Sequence, residues 1–410
     1  MDEHAGPAAG PTGAAWRGLG AGAGSRLESA RLVQVDLPFR RPLATARGVH
    51  RHRPLVLVQL VCRTADGPSV AGWGECAALA DATYDAEDVD SAFAALRDVL
   101  LPALLAAAVR TGSVPSVGAL PADVARGRWP LAWSALEMAV GDAHLRAAGR
   151  SLADVLGVTA SDVVPGAVLG LPTSTDSLVA DLDRLQDEGY ARAKVKVAPG
   201  TEQLFVDALG GRGATALPVQ VDANGAYRSG TLDGLYELDR LGLLCIEQPL
   251  GRDDLAGHRA LVARLTTPVC LDESLGSPAQ VVEAVSTDAC SVVCVKPSRL
   301  GGIAECLDVV DWCGAHGVPW WVGGMFESGY ARQVLTALAA LPGPTLPGDL
   351  APAPTYLAAD LVDPVTDTRD PSDGARRVAV HRGPGVAPAP DPGAVDALLV
   401  RDATFGGGLR

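Results

Sequence analysis

Lysine is the charged residue this sequence has least of. Lys and Arg together number 34, and only three of them are lysines: Lys194, Lys196 and Lys296. Arginine serves wherever a fixed positive charge is enough, because its guanidinium keeps its proton, whereas an amine can be tuned to lose one. Two of the three lie in Ala191-Arg192-Ala193-Lys194-Val195-Lys196-Val197, a run that alternates like a strand and puts both amines on one face. Apolar strands seldom carry lysine without a partner or a use for it. The pattern points to an amine that must give up a proton.

Other shortages narrow the field. Positive charge is scarce overall: the net charge of −14 argues against a nucleic-acid or anionic-membrane surface, which needs clustered cations. No apolar run reaches the length of a membrane span. No C-x-x-C pair occurs among the cysteines Cys62, Cys76, Cys245, Cys270, Cys290, Cys294, Cys306 and Cys313, and several lie in apolar runs. They read as small buried hydrophobes of a reducing compartment, so a cytoplasmic location is expected. No G-x-G-x-x-G follows an early strand, which weakens a dinucleotide role. Ser328 has neither a nucleophile-elbow glycine pattern nor an obvious partner histidine, so no hydrolase triad is read.

What is present organises into two textures. Residues 1–26, rich in Gly, Ala and Pro and carrying Asp2 and Glu3, read as a flexible extension outside the fold. From 27 to 155 strand-like runs precede helical ones. Leu55-Val56-Leu57-Val58-Gln59-Leu60-Val61 and Ala71-Gly72-Trp73-Gly74-Glu75 suggest a hairpin or meander, with a polar loop over 41–53. Helices are expected over 91–108 and 131–148, the second stopping at Gly149. That order describes an α+β domain. His144 falls in the second helix as a core or surface residue, and His50 and His52 fall in the loop.

From 156 to 348 apolar strands alternate with amphipathic helices, with strands expected over 166–170, 193–197, 219–222, 243–247, 269–272, 292–296 and 320–322. Strands apolar throughout, each followed by a helix, signal a parallel sheet buried on both faces. The repeat fits a TIM-like barrel better than a doubly wound sheet. The tail, rich in Pro, Gly and Asp, closes the barrel near Thr345-Leu346, and residues 349–410 return to the first domain.

The functional signal lies where charges fall in these strands. Lys196, Asp222, Glu247, Asp272 and Lys296 each end a strand, at steps of 26, 25, 25 and 24 residues. Strand C-termini share one face of a parallel barrel, the face on which barrel active sites are built. The plainer alternative is a layer of ion pairs at the rim, but five groups in register argue against it. Three gathered carboxylates repel unless a cation holds them. Oxygen ligands favour a hard divalent ion, Mg²⁺ first and Mn²⁺ second. Such an ion stabilises the enediolate of a substrate carboxylate, with Lys196 or Lys296 as base. Lys194 shares the face of Lys196 and would favour loss of its proton. Asn224 can support Asp222, and Glu273 adjoins Asp272 but points to the opposite face.

Taken together, K-x-K, Val221-Asp222-Ala223-Asn224, Ile246-Glu247-Gln248-Pro249, Leu271-Asp272-Glu273-Ser274 and Val295-Lys296-Pro297-Ser298-Arg299 resemble the muconate-lactonizing-enzyme subgroup of the enolase superfamily. The resemblance spans residues 32–400. It implies an α/β fold: a modified (β/α)₇β TIM barrel under an N-terminal α+β capping domain completed by the C-terminal segment. It also implies Asp222, Glu247 and Asp272 as Mg²⁺ ligands and Lys196 and Lys296 as the catalytic pair, since enzymes of that superfamily combine a lysine base with metal-stabilised charge.

A finer resemblance lies in Gly323-Gly324-Met325-Phe326-Glu327-Ser328-Gly329 and Leu346-Pro347-Gly348-Asp349, which are similar to the o-succinylbenzoate synthase and N-succinylamino acid racemase family. There Gly324, Met325 and Phe326 would line the succinyl-bearing substrate. The related dipeptide epimerases usually carry an acidic pair in this stretch, which here is neutral. The loop wording differs from the family's P-F-x-T-S-F-G, being Pro38-Phe39-Arg40-Arg41-Pro42-Leu43-Ala44. The resemblance implies Mg²⁺-dependent dehydration to o-succinylbenzoate in menaquinone biosynthesis, or racemisation of N-succinylamino acids by the same two lysines. Arg299, close beyond Lys296, would help Lys296 act as a base. A non-catalytic barrel binding an acidic metabolite would not need titratable lysines on either side. The expected partners are a small-molecule carboxylate and further copies of the chain, with no nucleic acid and no membrane.

Overall fold

The computed structural model describes residues 11–65, 67–122, 127–210 and 216–406. Its N-terminal part is a four-stranded antiparallel sheet of β1 (Arg26–Thr45), β2 (Gly48–Arg63), β3 (Ser69–Cys76) and, from the far end of the chain, β11 (Leu399–Phe405), in the order β11-β1-β2-β3. The C-terminal segment thus returns to this sheet as an edge strand, pairing Ala30 with Phe405 and Val35 with Leu399.

Two helices cover the sheet. The first, α2 (Val89–Thr111), is apolar enough and, at 23 residues, long enough to cross a membrane by composition alone, which corrects the reading that no run reaches that length. Half of its most apolar window is buried inside the protein. Leu96, Leu100, Leu101 and Leu104 are in the core, so it is placed as a core helix. The second, α3 (Pro130–Ala147), is buried over nearly its whole length, including His144, whose Nε2 lies 2.8 Å from Pro115 O.

Residues 41–53 are not the polar loop expected. They are mostly strand, because β1 and β2 continue as a two-stranded arm whose tip is Ala46-Arg47. Their pairing shifts register between Pro38 and Leu43. The arm reaches the other domain, where Leu171 N donates to Ala44 O at 2.9 Å and Arg47 Nε donates to Asn224 O at 2.9 Å.

That domain is a parallel sheet of seven strands in sequential order: β4 (Ala167–Leu169), β5 (Ala193–Lys196), β6 (Val219–Asp222), β7 (Ile246–Glu247), β8 (Val269–Leu271), β9 (Val292–Val295) and β10 (Trp320–Val322). Helices between them, such as α4 (Thr175–Asp187) with its Ser174 capping box and α9 (Ile303–His316), pack on the outside. The gap between β10 and β4 is closed by residues 345–351 without a regular strand: Thr345 N donates to Trp320 O, Asp349 N to Val322 O and Gly166 N to Gly348 O, at 2.8–2.9 Å. The ring therefore has eight places, seven strands and one closing segment.

The expectation of a flexible extension over 1–26 is corrected for the described part of it. Residues Pro11–Arg17 form α1, and Trp16 is fully buried. Its Nε1 donates to Glu137 Oε1 on α3 at 2.8 Å, while Arg17 pairs with Asp308 on α9 at 2.5 Å. One indole and one guanidinium therefore tie the first domain to the barrel. An apolar side chain of that size inside a Gly- and Ala-rich run is what the composition concealed. Residues 1–10 lie outside the described residues.

Candidate active site

The arm and the loop after β3 close over the C-terminal ends of the barrel strands, leaving a cleft with about 870 Å³ of empty space, part of it open to solvent. Lys194, Lys196, Asn224, Asp272, Glu273, Lys296, Gly324, Met325 and Phe326 all line it. The strands dictate this convergence. Lys196, Asp222 and Glu247 are the last residues of β5, β6 and β7, in register as neighbours, and Asp272 and Lys296 follow β8 and β9 directly.

Charges at the mouth are buried and paired. Lys196 Nζ donates to Asp222 Oδ2 at 2.6 Å, and Lys296 Nζ donates to Asp272 Oδ2 at 2.6 Å. Asp272 Oδ1 accepts from Tyr84 OH at 2.8 Å and from Arg299 Nη1, and Arg299 also donates to the carbonyls of Leu275 and Cys294. Burial alone would raise the Asp272 carboxyl, but Lys296 and Arg299 outweigh it and hold it below the usual carboxylate range. For Lys296 burial is likewise outweighed, here by Asp272 and Tyr84, and its ammonium is raised well above the ordinary value.

Lys194 does not simply adjoin Lys196. Its Nζ sits 2.5 Å from Asp349 Oδ2 and 3.3 Å from Glu247 Oε2, and these carboxylates raise it well above an ordinary amine despite burial. It is a fixed charge two residues before Lys196. Asp349, in the closing segment, falls to about 2, burial being outweighed by Lys194 and Arg192. Glu247 goes the other way, to about 8, through burial and the neighbouring Asp222.

The reading of Glu273 as pointing away is corrected. Past the end of β8 the strand alternation no longer holds, and the buried carboxylate turns into the cleft. Its Oε1 accepts from Asn224 Nδ2 at 3.1 Å and lies 3.7 Å from Arg47 Nη2. Asn224 also donates its backbone N–H to Asp222 Oδ1 at 3.0 Å, in a left-handed conformation with φ 46°.

The opposite wall is apolar. Phe326 packs edge-on to Phe39 at 5.5 Å and to Tyr356 at 5.0 Å, between the arm and the barrel. The buried Arg53 donates to Met325 O at 2.8 Å and to the carbonyls of Pro54, Ala77 and Ala78, fixing this segment from the first domain. A Cβ on Gly324 would come within 3.3–3.4 Å of Asp349 and Glu327, so a side chain there would crowd the wall.

The donor set fits a hard cation. Oxygens of Glu247 and Asp272 lie within 4.8 Å of each other and of Cys294 Sγ, whose thiol burial keeps protonated. Glu247 is fully buried, and among the described residues its Oε1 has no hydrogen-bond partner. A buried carboxylate oxygen without a donor is unfavourable unless a cation takes it. Asp222, at the neighbouring strand end, stands beside the group of Glu247, Asp272 and Cys294 but is not one of its three members.

Sequence reasoning missed Tyr84, Arg47, Arg53, Arg192 and Gln220, and it gave Asp349 no role. Tyr84 and Arg47 lie in connections without periodicity. Asp349 stood in a motif already singled out, as the one acid at the step where the barrel closes.

Comparison with known proteins matches both domains of the chain. Residues 28–157 match the mandelate racemase / muconate lactonizing enzyme N-terminal domain, and residues 177–394 match the family described as enolase C-terminal domain-like. The chain is 39% identical over 381 residues to an N-succinylamino acid racemase of an Amycolatopsis species, covering 93% of this chain and all of that one. It is 34% identical over 339 residues to an o-succinylbenzoate synthase of Bacillus subtilis, covering 82% and 88%. A solved structure described as a probable mandelate racemase, from Alicyclobacillus acidocaldarius, superposes with a TM-score of 0.82 at 34% identity over 92% and 97% of the two chains. With both of its domains matched in order, the chain belongs to the mandelate racemase / muconate lactonizing enzyme family of the enolase superfamily.

Proposed function

We propose that the protein is a Mg²⁺-dependent o-succinylbenzoate synthase, a carbon–oxygen lyase of menaquinone biosynthesis acting on 2-succinyl-6-hydroxy-2,4-cyclohexadiene-1-carboxylate. The observation that carries the reading is the pair Lys196 and Lys296, on strands four places apart in a ring of eight and flanking three carboxylates. Such a pair addresses one carbon from two sides.

Asp222, Glu247 and Asp272 would hold Mg²⁺, or Mn²⁺ in its place. Bound there, the ion supplies the positive charge that stabilises the enediolate of a substrate carboxylate. The chain's own residues do the rest. Lys196 Nζ takes the proton α to the carboxylate. The same group, now an ammonium, returns that proton to the departing hydroxyl on the same face. The C–H and C–O bonds break, water leaves and the ring becomes aromatic. Lys296 stays charged and stabilises the intermediate. Tyr84, donating to Asp272 and receiving a hydrogen bond from Lys296 at 3.3 Å, keeps that amine oriented. Residues 324–326 with Phe39 form the wall for the succinyl-bearing arm, and the β1–β2 arm excludes water.

A second reading is racemisation of N-succinylamino acids, with the two lysines as base and acid on opposite faces. It is favoured by the 39% identity to the Amycolatopsis racemase. Both activities can share this site. The eight buried free cysteines support a reducing, cytoplasmic location.

The test is a side-by-side assay with Mg²⁺ of the cyclohexadiene substrate and a panel of N-succinylamino acids. Faster turnover of the cyclohexadiene supports the first reading, and racemisation alone the second. Turnover of neither refutes both.

A further inference from the structure

Gln220 belongs to no motif read as functional, yet it touches the carboxylate whose free oxygen argues for a cation. It lies on β6 two residues before Asp222, faces the barrel interior and is fully buried. Its register partner across the sheet is Lys194. Arg192 Nη1 lies 2.5 Å from Gln220 Oε1, and Gln220 Nε2 lies 2.8 Å from Glu247 Oε2. A guanidinium can only donate, which settles the amide's orientation: oxygen toward Arg192, nitrogen toward Glu247. Arg192 is itself held, by Asp349 Oδ1 at 2.5 Å and by the face of Trp321 at 4.6 Å.

We infer that Gln220 is a positioning residue for the cation: tied to Arg192 below, it binds one oxygen of Glu247 and so presents the other, Oε1, to the metal. The inference rests on the cation reading given above. Its strength is an asymmetry. Oε2 of Glu247 is engaged twice, by Gln220 and by Lys194 at 3.3 Å, while Oε1 is unexposed and has no partner among the described residues. A carboxylate tied on neither oxygen could turn either one toward a charged neighbour. Lys194 alone would not fix it, because Lys194 is shared with Asp349 and Asp222. Gln220 is neutral and among the described residues its amide nitrogen has no other acceptor, so its contact with Glu247 is undivided.

The test replaces Gln220 in the full chain with Met, close in volume but without the amide, and separately with Asn, which keeps the amide and falls a methylene short. Metal-stripped protein is titrated with Mn²⁺, followed by electron paramagnetic resonance and calorimetry, and Mg²⁺ is measured by competition. Circular dichroism reports folding. The account predicts that both variants bind Mn²⁺ about 10- to 100-fold more weakly than the unaltered chain, the usual effect of removing a residue that orients a metal ligand. It also predicts that the Mg²⁺ concentration for half-maximal turnover rises by the same factor. Affinity within twofold of the unaltered protein in either folded variant overturns the role of Gln220. Failure of the unaltered protein to bind Mn²⁺ at all is a different result, and overturns the cation reading itself.

Discussion

Lys196 and Lys296 face each other across the barrel mouth. Their strands, β5 and β9, stand four places apart in the ring of eight, and each ammonium rests 2.6 Å from a different carboxylate, Asp222 for one and Asp272 for the other. The pairing gives each amine its own anchor, so their roles can be separated by mutation. Lys196→Arg keeps the charge and removes the proton acceptor. Dehydration is expected to fall by about 10²- to 10⁴-fold with the circular dichroism spectrum unchanged. Appreciable turnover in that variant would sink the base assignment. Lys296→Arg is expected to abolish racemisation while part of the dehydration survives. Equal loss of both activities would count against the division of labour.

The carboxylates make a separate prediction. Asp222→Asn or Asp272→Asn is expected to weaken Mg²⁺ binding at least about tenfold, since each removes a proposed ligand. Calorimetry showing unchanged affinity refutes the ligand set. Chelation of the unaltered enzyme should abolish turnover, and added Mg²⁺ should restore it.

Stability should depend on a residue far from the mouth. Trp16→Ala empties the contact between α1 and α3 and leaves Glu137 without its indole donor. A loss of roughly 3–5 kcal/mol is expected in denaturant unfolding, as for other buried aromatics. Gly141→Ala should also destabilise, because its Cβ would meet the Trp16 ring at 2.0 Å. An unchanged unfolding midpoint for both would mean that α1 is not docked in solution.

Acid should loosen the barrel at His258. This buried residue of α7 (Leu255–Val262) accepts the Leu250 N–H on Nε2 at 3.2 Å and places Nδ1 2.8 Å from Asp254 O, an arrangement that needs the neutral ring. Burial lowers its pKa from 6.5 to about 4. Between those values the unfolded chain holds the proton and the folded one does not. His258 therefore gives no penalty above pH 6.5 and lowers stability progressively toward pH 4, by at most about 3 kcal/mol. Unfolding midpoints of His258→Gln should lack this slope. If the variant keeps it, another group is responsible.

The barrel and its five charged strand ends could be read from residues 193–296 because each βα unit repeats the same physics: an apolar strand, one ionisable residue at its end, an amphipathic helix. What escaped the sequence lies where that repetition stops. Glu273 sits two residues beyond the end of β8, so a period of two misplaced it. Residues 41–53 are too polar to look like strand, and they form one only because β1 and β2 pair with each other over the cleft. Trp16 is a single anchor in a low-complexity run. Tyr84 comes to the site through tertiary packing that no local pattern records, whereas Gln220 shares the face of Asp222 by strand alternation and escaped because it is neutral.

The most direct test of two opposed lysines is deuterium exchange at the α-carbon. Each enantiomer of an N-succinylamino acid is incubated with Mg²⁺ in D₂O and followed by proton nuclear magnetic resonance. The account predicts that the unaltered enzyme exchanges both enantiomers, that Lys196→Arg exchanges only one, and that Lys296→Arg exchanges only the other. Exchange of both enantiomers by either variant would contradict it, and exchange of neither by the unaltered enzyme with Mg²⁺ present would overturn the racemase reading.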